Sequence, residues 1–352
     1  MLLSQCNFTA KRTQVAIMRR ALLRLQQPPP ARRSFSDEPL RVGGVPEHFN
    51  WPVHRAARAN TFEWSEHPGG SGAMAQHLRE GHLDVAILLT EAATLFAHKG
   101  DVKIVGSFVD TPLTWGVHAL HGTSLSPEST YAISRFGSGS HLMALVAARS
   151  RGAPDPLFKV VGDLQGARQS LKNKDADLFM WEKFTTKPLV DTGEWSRVDE
   201  VPTPWPCFAF VVTPEVARLR EREVSQFLKS VHEHSSVISE EDVDAIAADY
   251  TLKPEDVAEW LRGVRWGVGD RMPAAVVEDC TQALLGAGVL EASEVRSYSE
   301  VVTQWTQDRA LIAEWEKEPK AVKAAKKKKK QSDRPHRTRN VPEDFRNPYR
   351  KQ

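Results

Sequence analysis

Two short segments rich in serine and glycine each connect a strand-like pattern to a helix-like one. The first is "GGSG" at residues 69–72, and the second is "GSGS" at residues 137–140. Such a turn leaves backbone N–H groups free at the start of a helix, where the helix dipole adds positive potential. The turns therefore predict a binding site for an anionic group. Its candidate ligand-binding residues are Gly70, Ser71, Gly72, Ser138, Gly139 and Ser140.

A simpler interpretation of each turn stays open. Any strand-to-helix turn uses glycine for its backbone geometry and serine for capping. In that case Ser140 is the N-cap of the helix whose apolar positions begin at Leu142. Neither turn has the G-x-S-x-G pattern of a nucleophile elbow, so neither indicates a catalytic serine.

Acidic residues near the predicted strand ends could complete the site. Glu91 or Glu182 could pair with a cationic part of a ligand, such as an amine or an aminopyrimidine. Thr90, at the start of the helix that contains Glu91, is a further candidate and the predicted cap of that helix. For Glu91 the alternative is a structural role, because a negative charge stabilises the first turn of a helix.

Aromatic residues at similar positions could form the apolar walls of the site. Trp51 follows the first predicted strand, Trp115 lies between the two predicted lobes, and Trp181 ends a strand next to Glu182. Packing in the protein core is the alternative for each tryptophan.

Metal, cofactor and catalytic sites are not indicated. The cysteines are far apart and form no zinc-binding spacing, and the histidines form no HExxH motif. No combination of nucleophile, acid and base suggests a reaction. We therefore expect no metal, no cofactor and no catalytic residue.

Alternating strand and helix patterns position the candidate residues. The apolar run at residues 83–89 is typical of a parallel strand covered on both faces. A second series of strands and helices begins at residue 130. A proline-rich connector at residues 201–206 then precedes a return strand at residues 208–213. The pattern predicts an α/β fold with a parallel sheet, in which the chain forms one lobe, then a second, and then returns to the first.

Two longer stretches of the sequence carry a family resemblance. The segments "GGSGAMAQHLREGHLDVAILLTEAATLFA" and "IVGSFVDTPLTWGVHA" resemble the type 2 periplasmic-binding-protein fold over roughly residues 40–310. Its most similar branch contains the transporter-associated binding proteins for sulfonates, nitrate and the thiamine pyrimidine precursor, together with eukaryotic orphan relatives. The resemblance implies a two-lobed fold, with lobe 1 formed by residues 37–120 and 208–318 and lobe 2 by residues 121–207. It also implies a ligand cleft between the lobes.

The function implied by the resemblance is binding of a small solute, as a solute-binding, sensor or carrier protein. The two Ser/Gly turns would face each other across the cleft and hold a sulfonate, carboxylate, phosphate or pyrimidine-type ligand. An enzymatic alternative is synthesis of the thiamine pyrimidine unit, but the related enzymes use a cysteine-rich motif that this sequence lacks.

The charges are divided unevenly along the chain. The formal net charge is +2, of which residues 1–36 contribute +7 and residues 319–352 contribute +10, so the body between them carries −15. An acidic body disfavours a nucleic-acid-binding core. The lysine-rich segment at residues 319–352 is expected to be a disordered basic tail. It could act as a nuclear signal or contact nucleic acid nonspecifically.

The N-terminal segment is typical of a targeting peptide. Residues 1–36 are rich in arginine, contain no acidic residue and end in "RRSFS", which resembles a mitochondrial processing site. We therefore expect a mitochondrial protein of the matrix, with a nuclear or cytoplasmic location as the alternative.

No apolar run reaches the roughly 20 residues needed to span a bilayer. A membrane permease, the usual partner of such binding proteins, is doubtful for a protein with a transit peptide.

A reporter fused to residues 1–40 should enter mitochondria and be cleaved near Ser36. Fluorescence microscopy with N-terminal sequencing of the recovered reporter measures both events. A full-length protein found in the nucleus with its N-terminus intact would contradict the mitochondrial assignment.

Overall fold

The computed structural model describes residues 38–58, 62–267 and 272–303. The chain divides into two units, Met1–Glu38 and Pro39–Gln352, and all the described residues except Glu38 belong to the second. The predicted targeting peptide and basic tail therefore lie outside the described residues. The sequence also predicts a last regular segment at residues 293–317, and most of it likewise lies outside the described residues.

The described residues form strands and helices that alternate along the first half of the chain. The strands are β1 (Leu40–Gly44), β2 (Phe62–Glu66), β3 (Val85–Leu89), β4 (Lys103–Ala119), β5 (Thr130–Ile133), β6 (Leu157–Val160), β7 (Leu178–Glu182) and β8 (Ser196–Val212). The first helices are α1 (Trp51–Ala57), α2 (Gly70–Arg79), α3 (Thr90–Lys99), α4 (Gly139–Ser150), α5 (Leu164–Lys172) and α6 (Lys187–Asp191). The later helices are α7 (Pro214–Leu219), α8 (Glu221–Ser236), α9 (Val243–Tyr250), α10 (Pro254–Gly263), α11 (Ala274–Gly286) and α12 (Tyr298–Val301). No helix in these described stretches has the length and apolarity that a bilayer crossing requires.

The strands form one mixed sheet in the order β2-β1-β3-β8-β4-β7-β5-β6. Pairing is parallel among β1, β2 and β3, and again among β5, β6 and β7. The long strands β4 and β8 lie between these groups and pair antiparallel with each other and with their neighbours. Residues 85–88 are buried, as expected for a strand covered on both faces.

The two long strands each run through both halves of the sheet. Residues 103–109 of β4 and 208–212 of β8 pair beside β3, whereas residues 115–119 and 196–201 pair beside β7. Between these stretches the ladder is irregular, with shifts in register on either side of the pair Pro112–Pro206. Proline has no N–H to donate to a ladder, which accounts for an irregularity at this point. The two halves of the sheet are thus joined at a weakly paired crossing.

The expectation that residues 201–206 form a connector outside the sheet was wrong. These residues belong to β8, and Val201 and Pro202 pair with Trp115 and Thr114. Strand β4 is likewise continuous through Pro112. Alternate residues of an irregular strand can still pair, so the prolines distort the strands without ending them.

Separate hydrophobic cores lie on either side of the crossing among the residues described. One contains residues from both ends of the described chain, including Met74, Leu88, Val211, Val277 and Val301. Another lies among residues 120–195 and contains Leu171, Phe179 and Trp195. The chain is therefore two-lobed, and its C-terminal helices contribute to the first core.

The Thr203 side chain bridges β4 and β8 where their ladder is irregular. Its hydroxyl accepts a hydrogen bond from Leu113 N at 3.0 Å and donates one to Trp205 O at 2.7 Å, and both bonds are buried. A buried N–H without an acceptor costs about 1–3 kcal/mol. This hydroxyl therefore replaces a backbone acceptor that the bulged strand does not supply.

Replacing Thr203 with valine should lower the free energy of unfolding by about 1–3 kcal/mol, because Leu113 N loses its acceptor. Urea denaturation monitored by circular dichroism measures this change. Thr203→Ser, which keeps the hydroxyl, is the matched control and should stay closer to the wild type. Equal stability of the valine variant and the wild type would show that this bridge contributes little.

Candidate functional site

A cavity of about 420 Å³ opens where the two lobes meet. Lobe 1 contributes the loop after β1, the turn before α2 and the start of α3. Lobe 2 contributes the turn before α4, the loop before α5 and the end of β7. The N-terminal ends of α2, α3 and α4 thus reach one cavity from both lobes. Its apolar wall includes Ile87, Leu89, Leu113, Trp115, Trp181 and Phe208.

The structure brings eight of the candidate site residues to this cavity and leaves four outside its lining. The lining includes Gly70, Ser71, Trp115, Ser138, Gly139, Ser140, Trp181 and Glu182. The four that do not line it are Trp51, Gly72, Thr90 and Glu91.

The hydroxyl groups of the second turn donate their protons to acceptors within the turn itself. Ser138 Oγ donates to Arg135 O at 2.7 Å and lies 3.0 Å from Ser140 Oγ. Because the one proton of Ser138 points to that carbonyl, Ser140 must donate to Ser138. Ser140 Oγ also accepts from Ser134 N. Neither hydroxyl proton therefore remains for a ligand.

The N-cap of α4 is Ser138, so the expectation that Ser140 caps this helix was wrong. Ser138 Oγ accepts from His141 N, three residues later, which is the geometry of an N-cap. The backbone N–H groups of Gly139 and Ser140 have no acceptor within the described residues. These two groups are the donors that the turn can offer to an anion.

The first turn offers a free hydroxyl as well as backbone donors. Ser71 Oγ accepts from Leu89 N at 3.2 Å, and its proton has no acceptor among the residues described. The N–H of Ser71 is also without an acceptor there. Ser71 can therefore donate twice to a group bound in the cavity.

Arg135 is the cation of this cavity, and the sequence analysis missed it. It lies on lobe 2, just before the second turn, and its guanidinium packs against Gly72 at the start of α2 on lobe 1. It forms no hydrogen bond or ion pair through its side chain within the described stretches of chain. Burial lowers the pKa of the guanidinium. The sequence signal was an arginine two residues before a turn already expected to bind an anion.

Gly72 has a role that differs from the expected one. A Cβ atom at this position would lie 2.4–2.6 Å from atoms of the Arg135 guanidinium, so a side chain here would force the arginine to shift. Gly72 therefore affects the site through its contact with Arg135, although Gly72 itself does not line the cavity.

Two buried carboxyl groups line the cavity from opposite lobes, and a third, Asp163, lines it from an exposed position as the N-cap of α5. Glu182 ends β7, and its Oε2 accepts hydrogen bonds from Phe184 N, Thr185 N and Thr185 Oγ1 at 2.7–2.9 Å. Its Oε1 accepts none within the described residues. Glu47, which the sequence analysis also missed, lies in the loop after β1 and is 9% exposed. No pattern in the sequence distinguished Glu47 from any other acidic loop residue.

Burial sets the protonation of both carboxyl groups. Burial, and secondly the charge of Glu182, raises the pKa of Glu47 to about 8. The side chain of Trp181 donates toward Glu47 and partly offsets this rise. Burial also raises the pKa of Glu182, against which its three hydrogen bonds act. Glu47 is therefore mostly protonated at pH 7.

The remaining three candidates are enclosed in lobe 1. Glu91 Oε2 accepts from Trp205 Nε1 at 2.9 Å, and burial raises the pKa of Glu91 to about 7. Thr90 Oγ1 is buried without a hydrogen-bond partner among the described residues, so the prediction that Thr90 caps α3 was wrong. Trp51 is 4% exposed at the start of α1. These positions fit packing roles in the lobe.

One cluster away from the cavity has ligand atoms suited to a metal ion. The side chains of His77, Glu80 and His82 place these atoms within 4.8 Å of one another. Glu80 and His82 are exposed and His77 is half-buried. Exposed clusters of this kind are common without an ion, so this geometry by itself does not define a site.

Comparisons with known proteins agree with this architecture. Residues 115–201 match a protein-family model described as a Ca3427-like periplasmic binding protein. The solved structure of the Candida albicans CA3427 gene product is 26% identical, with a TM-score of 0.67, over 75% of this chain and 94% of that chain. Its description says that it defines a new family of proteins with the generic periplasmic-binding-protein fold. No curated protein matches the sequence.

Two bacterial structures share the fold at lower identity. The alkanesulfonate-binding protein SsuA of Xanthomonas axonopodis pv. citri, bound to MOPS, is 15% identical with a TM-score of 0.63, covering 73% of this chain and 96% of that chain. The aliphatic sulphonate-binding protein SsuA of Escherichia coli is 16% identical with a TM-score of 0.59, covering 76% of this chain and 100% of that chain. The type 2 periplasmic-binding-protein fold expected from the sequence is therefore confirmed.

The stability of the protein should depend on pH through Glu47. Its pKa is about 8 in the folded protein and near 4.5 when solvated. Unfolding therefore releases a proton between these values, and stability must fall as pH rises from about 4.5 to about 8. Compared with Glu47→Gln, the wild type should lose on the order of 3–5 kcal/mol across this range.

Urea denaturation of both proteins at several pH values measures this difference. The Gln variant is the matched control, because it has the shape of the protonated acid but does not titrate. Parallel stability profiles for the two proteins would mean that Glu47 titrates as a solvated group.

Proposed function

We propose that this protein binds a small anionic solute in the cavity between its lobes. The observation that carries the proposal is the Arg135 guanidinium, which reaches the cavity without an anionic partner among the described residues. A half-buried cation of this kind is costly unless it is paired, and a bound anion would supply the pair.

The donors around Arg135 support the same ligand class. Backbone N–H groups of Ser71, Gly139 and Ser140 and the hydroxyl of Ser71 lack acceptors within the described residues, and all line the cavity. Helix N-termini favour negative charge, and several N–H groups together suit a tetrahedral or planar oxyanion. A sulfonate, carboxylate or phosphate has the required acceptor oxygens.

Sulfonates are the first probes to test. Two bacterial proteins of the same fold are described as sulfonate-binding, one of them in a structure with MOPS. The cavity of this protein has apolar walls that include Trp115 and Trp181, which suit the carbon chain of an alkanesulfonate. Because both lobes contribute donors, such a ligand would bridge the lobes. A role in solute binding, sensing or carriage follows from this mode of binding.

Replacing Arg135 with glutamine should weaken sulfonate binding about tenfold to a hundredfold, because a charge-assisted bidentate contact is lost. Calorimetric titration with a series of alkanesulfonates measures the affinities. Arg149→Gln is the matched control, since Arg149 lies at the far end of α4, where it bonds to Gly286 O. Its affinities should equal those of the wild type.

The stability of both variants should be measured beside the affinities. A loss of binding that is equal in the Arg135 and Arg149 variants would contradict the proposed role of Arg135. Absence of binding for sulfonates, carboxylates and phosphates alike in the wild-type protein would overturn the proposed function.

A further inference from the structure

The cavity has two chemically different ends. Arg135 and the free backbone N–H groups of the Ser/Gly turns favour negative charge. Glu47 from lobe 1 and Glu182 from lobe 2 line the same cavity and favour a cation or a hydrogen-bond donor. A ligand that carries only an anionic group would pair with Arg135 and the N–H groups. It would offer no partner to Glu47 and Glu182.

The two ends are not paired with each other. No side-chain nitrogen of Arg135 lies within 4.0 Å of a carboxylate oxygen of Glu47 or Glu182. Glu47 and Glu182 act on each other instead, because the charge of Glu182 raises the pKa of Glu47. The positive and acidic groups are therefore at separate places in the cavity.

The carboxyl pair retains unused acceptors. Glu182 is held in place through Oε2, while its Oε1 accepts no hydrogen bond within the described chain. Glu47 accepts a hydrogen bond from the Trp181 side chain and lines the cavity. The two residues are 9% and 4% exposed. A cationic group of a ligand in the cavity could pair with both carboxyl groups.

We propose that the solute is a zwitterion, with its anionic group at Arg135 and a cationic ammonium or amidinium group between Glu47 and Glu182. This inference rests on the proposed function. The apolar part of the solute lies against Trp115 and Trp181, which line the cavity between the two lobes. Glu47 and Glu182 then determine specificity, because they distinguish an aminated solute from a simple anion.

Binding of such a zwitterion is linked to proton release. Glu47 is mostly protonated at pH 7, and a cation beside it favours the ionised form. A simple anion supplies no such charge, so it leaves the proton in place. The charged and titratable groups around the pair include Arg197, Cys207 and Tyr250, and also His48, Asp163, Arg168 and Lys183. The three cations are bonded to Glu200, Glu194 and Glu259, and burial lowers the pKa of His48 to about 3. Proton release therefore distinguishes the two classes of ligand.

The test compares matched probes on the full chain by calorimetric titration. The probes are alkanesulfonates and the ω-aminoalkanesulfonates of equal chain length, with the hydroxyalkanesulfonates as uncharged polar controls. Chain length is varied because it must match the separation of the two ends. At the best length the aminated probe should bind about tenfold to a hundredfold more tightly than the plain sulfonate. Its apparent enthalpy should also change with the ionisation enthalpy of the buffer, whereas that of the plain sulfonate should not.

Glu47→Gln tests the assignment of the cationic end. This variant keeps the shape of the protonated acid but cannot ionise, so the preference for the aminated probe and the proton release should both disappear. Arg149→Gln should keep both. Persistence of the full preference in Glu47→Gln would overturn the role of Glu47.

The remaining outcomes separate this inference from the proposed function. If the wild type binds plain sulfonates and the amine adds neither affinity nor proton release, the zwitterion is wrong and the proposed function stands. If neither class of probe binds the wild type, the proposed function fails and this inference fails with it.

Discussion

The arrangement of the molecule depends on one constraint, which is that strands β4 and β8 belong to both lobes. Their ladder has several shifts in register, and two of them lie on either side of the pair Pro112–Pro206. The cavity opens next to this crossing, and the strands supply part of its wall through Leu113, Trp115 and Phe208. Each lobe has its own core, and within the described sheet these two strands run through both lobes. The irregular crossing is therefore where a change in the angle between them would be absorbed.

Much of this fold could be predicted from the sequence, because its signals are local. The buried run in β3 and the Ser/Gly turns before α2 and α4 each lie within about ten residues. The path of β8 through residues 201–206 could not be predicted in that way. Prolines there argue against a strand, and only pairing with β4, about 90 residues earlier, keeps the segment extended. Non-local pairing overrides local preference at this point.

The candidate site was predictable only in part, for a related reason. A turn can be recognised from its own residues, so eight of the expected residues line the cavity. Arg135 and Glu47 become notable only through what surrounds them, namely the absence of a partner for Arg135 among the described residues and the burial of Glu47. The hydroxyls of Ser138 and Ser140 show the converse, since their residue type suggested donors but their protons are used within the turn. To decide where each hydroxyl proton points, the positions of the neighbouring atoms are needed, and the spacing of residues in the sequence does not give them.

The contact between Arg135 and Gly72 has a consequence for natural variation. The guanidinium occupies the space that any side chain at position 72 would need, so the glycine and the arginine depend on each other across the two lobes. A related chain that lost the arginine would be released from the need for glycine, and one that gained a side chain at this position would have to move the cation elsewhere. The two positions should therefore change together in evolution. Relatives that differ at both would be expected to have diverged in the charge of the solute they accept.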